Sequence, residues 1–221
     1  MKTFVLNGWA AGEKAWSLCK FRRDRVFSYV EQLDGAPEAA MSEAESAVLV
    51  GWSMGGSGAL RLALQFPEKV KGLVLAAATA RMMKDDGWAG MTPRRLAALE
   101  LGLKLTKGEG FGGAVEGRPD PYMMDSDENL ARGLDYLRAT DLRRPLLDLA
   151  AGGRARFPVR IFQSERDGIV RPENAAFLAS VFPGSRVEMV PGAEHALPVV
   201  IPARIDAAVA EMSCWTCRGG I

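Results

Sequence analysis

Ala47-Val48-Leu49-Val50-Gly51-Trp52-Ser53-Met54-Gly55-Gly56 is the stretch on which the reading of this chain turns. Ala47 to Trp52 is a continuous apolar run, as expected of a strand buried on both faces, and it breaks at the glycines. Helical sequence then runs from about Ser57 through Phe66, just before Pro67. Strand, tight turn and helix are the context that gives the pentapeptide Gly51-Trp52-Ser53-Met54-Gly55, a G-x-S-x-G, its meaning. Its glycines let the backbone turn sharply enough to present the serine hydroxyl at the end of the strand. The helix N-terminus also brings backbone N–H groups beside that hydroxyl, ready to stabilise an oxyanion. Ser53 is therefore the candidate nucleophile and the Met54 N–H one candidate oxyanion donor. The plainer alternative is a glycine-rich turn used only for close helix packing.

Working outward, short apolar runs predict further strands at Thr3 to Leu6, Arg25 to Val30, Val70 to Ala77, Pro158 to Gln163 and Arg186 to Val190. A helical stretch from Pro172 to Phe182 separates the last two. This alternation predicts an α/β fold with a small, mostly parallel sheet and helices on both faces, in a single domain over residues 1–221. From about 79 to 150 the pattern becomes helical, charged and glycine-interrupted, with helices at Pro93 to Leu105 and Asn129 to Leu149 and a glycine-rich connection from Gly108 to Gly117. Such a long excursion at the carboxyl edge of the sheet reads as an inserted lid, since open α/β sheets bind ligands at that edge. A pair of ordinary crossover helices is the alternative.

Composition narrows the classes. Lys and Arg number 28 against 27 Asp and Glu, a net charge of +1. No global field draws the chain to nucleic acid or to an anionic membrane. The start, Met1 to Gly8, lacks the apolar stretch of a signal peptide, and glycine or charge interrupts every apolar run before it reaches spanning length, so a cytoplasmic location is expected. The three cysteines, Cys19, Cys214 and Cys217, are too few for a disulfide framework. Cys214-Trp215-Thr216-Cys217 spells C-x-x-C, but no second pair or nearby histidine completes a zinc site, and the segment reads as a frayed tail.

The chain has one histidine, His195, in Pro191-Gly192-Ala193-Glu194-His195-Ala196, just after the last predicted strand. A loop there can bring the imidazole over the sheet edge to Ser53, which makes His195 the candidate general base. Asp167, in Gln163-Ser164-Glu165-Arg166-Asp167-Gly168, follows an earlier strand and is the candidate acid that fixes the imidazole tautomer, with Glu165 as the nearest rival. Ser, Asp, His is the chain order of α/β-hydrolases. A second oxyanion donor is expected from the loop after the first strand, Asn7 to Gly12, and the Trp9 N–H is the choice there. The indoles of Trp9 and Trp52 either wall an apolar acyl pocket or serve as plain core residues.

These residues resemble the α/β-hydrolase superfamily over most of the chain. Within it the sequence is similar to the pimeloyl-acyl-carrier-protein methyl ester esterases of biotin synthesis, through Gly8-Trp9, Gly51 to Gly56, Leu137 to Arg143, the Asp167 loop and Gly192 to Ala196. The resemblance implies a serine carboxylesterase that needs no metal or organic cofactor. It also implies docking of an acidic acyl carrier protein on basic lid residues, here Arg81, Lys84, Arg94, Arg95, Lys104 and Lys107, with Arg94 and Arg95 the positions singled out. A solvated helix face is the alternative for that patch. Asn7-Gly8 stands where many relatives have His-Gly, and, with only a few residues before the oxyanion loop, a small sheet without the leading antiparallel strands of larger relatives is expected. Two other functions fit the same motifs. One is a general carboxylesterase or thioesterase acting on small acyl esters, and the other is a noncatalytic scaffold of the same fold.

Overall fold

The computed structural model describes residues 1–111 and 117–217, with the backbone alone for 215–217. Its elements run β1 (Lys2–Leu6), β2 (Arg25–Phe27), α1 (Tyr29–Leu33), α2 (Ala36–Glu43), β3 (Ala47–Trp52), α3 (Met54–Gln65), β4 (Val70–Ala76) and α4 (Pro93–Thr106). They continue with α5 (Asp127–Ala139), α6 (Arg143–Ala151), β5 (Val159–Ser164), α7 (Glu173–Val181), β6 (Arg186–Val190), α8 (Leu197–Val200) and α9 (Pro202–Cys217).

Every residue of β3 is buried, because helices cover both faces of the sheet it centres. The two-residue period of the strand sorts its side chains. Val48 and Val50 face the layer that holds Ile205, Ala208, Val209 and Met212 of α9. Leu49 faces Leu60 and Leu62 of α3 and Leu178 of α7. Each such side chain removed from water contributes about 1.5–3 kcal/mol.

All six strands pair in parallel, in the order β2-β1-β3-β4-β5-β6. The chain steps outward from β1 to β2, then returns to the other side of β1 to lay down β3. That reversal makes the crevice between the ends of β1 and β3 the switch point of the sheet, where open α/β sheets take their ligands. Leu6 is in register with Gly51, so the loop after β1 and the turn after β3 emerge side by side.

Three elements depart from the sequence reading. The strand expected over Arg25 to Val30 ends at Phe27, because Ser28 and Glu31 form a reciprocal capping box that starts α1. The helix expected over Asn129 to Leu149 is two helices, interrupted at Thr140-Asp141-Leu142, where Asp141 and Leu142 bond back to the strip after β4: Leu142 N donates to the Ala80 carbonyl at 2.8 Å. The C-terminal tail is helical through Cys217, with Ile205, Ala208, Val209 and Met212 packed on the sheet at helical spacing. Residues 112–116, within the glycine-rich connection from Gly108 to Gly117, lie outside the described residues, as does the Cys217 side chain; Cys214 is a free, exposed thiol. No helix among the described residues is long and apolar enough to cross a membrane.

The excursion between β4 and β5 has two parts. Leu130, Leu134 and Leu137 of α5, Leu96 of α4, and Tyr122 join the buried layer around Trp9 and Trp52. Leu146 and Leu149 of α6 instead pack in the opposite layer, with residues of α3 and α7. An ion-pair cluster closes the base of the excursion. Arg143 reaches Asp85 at 2.8 Å and Asp141 at 2.7 Å, while Arg81 reaches Asp141 at 3.0 Å.

Candidate active site

Ser53 sits between β3 and α3 at φ 57° and ψ −123°, a left-handed conformation that a side chain rarely adopts and that costs about 1–3 kcal/mol. The surrounding glycines explain how the turn is tolerated. A Cβ at Gly55 would overlap the Leu6 carbonyl, and one at Gly51 would overlap the Gly55 carbonyl, so the helix start lies directly against the two strands. The result is a serine hydroxyl raised over the switch point, at the N-terminus of a twelve-residue helix.

His195 and Asp167 meet Ser53 there. His195 Nε2 lies 2.8 Å from Ser53 Oγ, and His195 Nδ1 lies 2.7 Å from Asp167 Oδ2. Both side chains are buried, and the other carboxylate oxygen of Asp167 accepts the Ile169 and Val170 N–H groups at 2.8 and 2.9 Å. Those bonds hold the carboxyl group in one orientation. Glu165 is exposed. The ring system is clamped from behind as well. The Trp52 indole N–H donates to the His195 main-chain carbonyl at 2.9 Å, and Ser164 Oγ donates to the Ala193 carbonyl.

The loop after β1 is pressed against the serine. A Cβ at Gly8 would come within 3.2 Å of Ser53 Cβ. Asn7 holds this loop from below: its side-chain oxygen accepts the Trp16 indole N–H at 2.5 Å and its carbonyl accepts Gln32 Nε2 at 2.9 Å. Among the described residues, neither the Trp9 nor the Met54 N–H donates to a backbone carbonyl. Met54 begins α3, so its N–H has no partner within the helix. The Trp9 indole is engaged elsewhere, donating to the Leu130 carbonyl of α5 at 3.0 Å, and Gly133 leaves room for that ring, since a Cβ there would overlap it.

Two adjoining cavities follow. The inner one is lined by Gly8, Trp9, Trp52, Ser53, Tyr122 and His195, among others, and its free volume of about 10 Å³ is room for no more than a single water. The outer one, about 420 Å³, is lined by Met91, Arg95, Ala98, Gly168 and Glu194. Leu99, Phe111, Ile169 and His195 line both and so form the partition between them. Both tryptophans are thus buried core residues that also wall the inner space.

Of the basic residues read from the sequence, Arg81 and Lys104 are ion-paired, Lys104 with Glu100 and Asp127 at 2.9 Å each. Arg94 and Arg95 are exposed on the first turn of α4, and Arg95 donates to the Gly168 carbonyl at 3.1 Å, beside the Asp167 loop. Lys84 and Lys107 are exposed.

Two site residues escaped sequence reasoning. Gln163 is buried and aims its amide at Asp167 Oδ2 (3.4 Å) and at the Ser164 and Val170 carbonyls (3.3 and 3.2 Å). Tyr122 enters the inner cavity from the connection before α5, and burial first, then the nearby carboxylates Asp167 and Asp120, push its phenol well above the usual tyrosine range. No local motif marks either residue.

Comparison with known proteins bears on this geometry. The sequence model of the Alpha/beta hydrolase family matches residues 15–209. The pimeloyl-[acyl-carrier protein] methyl ester esterase of Pectobacterium carotovorum is 28% identical to this chain, over 87% of it and 86% of the relative. The protein of the same description from Yersinia enterocolitica is 27% identical, over 87% and 85%. Among solved structures, an esterase from Exiguobacterium antarcticum superposes with a TM-score of 0.73 at 20% identity, covering 96% of this chain and 92% of that one. That last likeness is one of fold.

Proposed function

The chain belongs to the alpha/beta hydrolase family and is a carboxylic ester hydrolase; from that premise we propose that Ser53, His195 and Asp167 are its catalytic triad and that it cleaves the methyl ester of a pimeloyl chain on acyl carrier protein. The observation that carries the triad is the unbroken line of hydrogen bonds from Asp167 through His195 to Ser53, 2.7 and 2.8 Å, on a strained strand-to-helix turn.

His195 Nε2 takes the Ser53 proton as Oγ attacks the ester carbonyl, and Asp167 stabilises the imidazolium that forms. The Trp9 and Met54 N–H groups receive the oxyanion. When the tetrahedral intermediate collapses, the alkoxy oxygen leaves with the proton from His195, and water then hydrolyses the acyl enzyme by the same route.

The substrate assignment rests on the likeness to the named esterases and on the shape of the entrance. The excursion of about 79–150 serves as the lid, with α4 and α5 over the site and α6 tying it to the core. An acyl chain threads between Leu99, Phe111 and Ile169 to the outer cavity, where Arg94 and Arg95 meet the acidic carrier.

The test compares hydrolysis of pimeloyl-carrier-protein methyl ester with that of p-nitrophenyl butyrate, using Ser53→Ala as the blank. A Ser53-dependent preference for the carrier-bound ester is expected. Activity on the free ester alone would remove the carrier assignment, and failure of a fluorophosphonate to label Ser53 in folded protein would remove the triad.

A further inference from the structure

The Tyr122 hydroxyl is buried and, among the described residues, has no hydrogen-bond partner. Buried tyrosine hydroxyls are normally paired, and an unpaired one is costly, so this group calls for a reason.

Its position is fixed with care. Tyr122 pairs with Ala11 across an antiparallel bridge, flanked by Met123 N to the Ala10 carbonyl (2.9 Å) and Gly12 N to the Pro121 carbonyl (3.0 Å). Its own N–H donates to Asp120 Oδ1 at 3.0 Å. The ring rests on Trp52 and Phe111, at centroid distances of 5.5 and 4.9 Å. A phenol so held cannot readily swing away to find a partner elsewhere.

Other polar side-chain atoms lining the inner cavity are already engaged. The Trp9 indole donates to Leu130, the Trp52 indole donates to His195, and Ser53 and His195 bond to each other. The Tyr122 hydroxyl is therefore an uncommitted donor on a residue that lines the space over Ser53. Burial keeps it protonated through the ordinary pH range.

Taking the triad reading as the base, an ester that reaches Ser53 must push aside the partition residues Leu99, Phe111 or Ile169, and its orientation follows. The carbonyl oxygen turns to the Trp9 and Met54 N–H groups, and the acyl chain leaves past Leu99, Phe111 and Ile169. The alkoxy oxygen is left facing His195 and the inner wall. Tyr122 lines that inner cavity and not the outer one. We propose that the Tyr122 hydroxyl donates a hydrogen bond to the alkoxy oxygen of the bound ester and stabilises it as the alcohol departs. In that step the carbon–oxygen bond breaks, its electron pair goes to the alkoxy oxygen, and the His195 Nε2 proton follows. Tyr122 keeps its own proton. Its contribution grows with the charge on the leaving oxygen, so it matters most for esters of poorly acidic alcohols.

The experiment is Tyr122→Phe assayed by kcat/KM on esters of one acyl group, graded from methyl to p-nitrophenyl. The methyl ester is expected to lose roughly 10- to 100-fold and the p-nitrophenyl ester less than about 3-fold, the size of one lost hydrogen bond at a developing charge. The dependence of log kcat/KM on leaving-group pKa steepens accordingly. Fluorophosphonate labelling of Ser53, in which no alkoxide departs, falls by less than the methyl ester turnover does, and the melting temperature stays level or rises because an unpaired buried hydroxyl has gone. An equal loss across the series, or none, overturns the proposal, as does a fall in melting temperature that would reveal a structural partner. If the wild-type protein itself neither labels at Ser53 nor turns over any ester, the triad reading fails first. If it does both and the slope is unchanged, Tyr122 alone is refuted.

Discussion

Trp52 and His195 are joined main chain to side chain, the indole N–H donating to the histidine's own carbonyl at 2.9 Å with the two rings 5.6 Å apart. The residue that precedes the candidate nucleophile thereby fixes the backbone of the candidate base, 143 positions later in the chain. Trp52→Phe keeps an aromatic side chain, though a smaller one, and removes the donor. A buried carbonyl left without its partner costs about 1–3 kcal/mol, so kcat should fall about tenfold while KM moves little. Steady-state kinetics of the variant check this, and an unchanged kcat would separate Trp52 from the placing of His195.

Strain at Ser53 gives a stability prediction independent of activity. Ser53→Gly and Ser53→Ala both remove the hydroxyl, yet only glycine relaxes the φ of 57°. Both variants should lose activity by at least about a thousandfold. Ser53→Gly should nevertheless melt above Ser53→Ala, by about 1 kcal/mol of strain relieved after glycine's own chain entropy is counted. Calorimetry of the two proteins decides it.

The partition between the two cavities predicts a change in substrate range. Leu99 lines both sides of it, and Leu99→Ala opens the inner space. Branched acyl esters should gain in kcat/KM relative to straight-chain ones, by about 3- to 10-fold, the worth of one or two methylenes in an apolar pocket. A branched-to-straight ratio that does not move would place the constriction elsewhere.

Charge at the outer mouth should act on the carrier and little else. Arg94→Glu is expected to lower the ratio of kcat/KM for carrier-bound over free ester by about tenfold, chiefly through a slower encounter that weakens further in low salt. Stopped-flow binding at two salt concentrations is the check.

The ion-pair cluster at the base of the excursion carries a pH signature. The Arg143 guanidinium, 2.7 Å away, holds the Asp141 carboxyl below the usual carboxylate range, with Arg81 adding to it. A carboxyl whose folded pKa is depressed stabilises the fold above its unfolded pKa of about 3.9 and loses that stabilisation as pH falls through the folded value. Asp141→Asn should therefore melt about 2–4 °C below wild type at pH 7, and the gap should close as the pH is taken below about 3. A gap that persists in acid would make the loss one of packing.

How far the sequence reveals this molecule depends on whether a feature is local. The run Ala47 to Trp52 and its glycines encode their own strand and turn, and the observed β3 has the expected ends. The G-x-S-x-G context, the single histidine and the chain order chose Ser53, Asp167 and His195, and the imidazole of His195 lies within hydrogen-bonding reach of the other two. Two misreadings had local signals that stronger apolar cues obscured. Ser28 and Glu31 spell a capping box, but Tyr29 and Val30 prolong the look of a strand. Pro202 followed by Ile205, Ala208, Val209 and Met212 is a helix with one apolar face. The Trp52 bond to His195, the amide of Gln163 against Asp167 and the arrival of Tyr122 over Ser53 are different in kind. They join residues through the folded sheet and the excursion, and no spacing along the chain announces them.

Trp9 ties the excursion between β4 and β5 to the loop after β1. It follows Gly8, which lies against Ser53, while its indole is bonded to the Leu130 carbonyl of α5 and accommodated only because residue 133 is glycine. An excursion taken from a relative and grafted over residues 79–150 would therefore arrive as a foreign socket for Trp9. Unless the graft keeps a small residue at 133 and a carbonyl in the place of Leu130, the exchange would disturb the loop beneath it along with the entrance above. The excursion is exchangeable only together with the tryptophan it encloses.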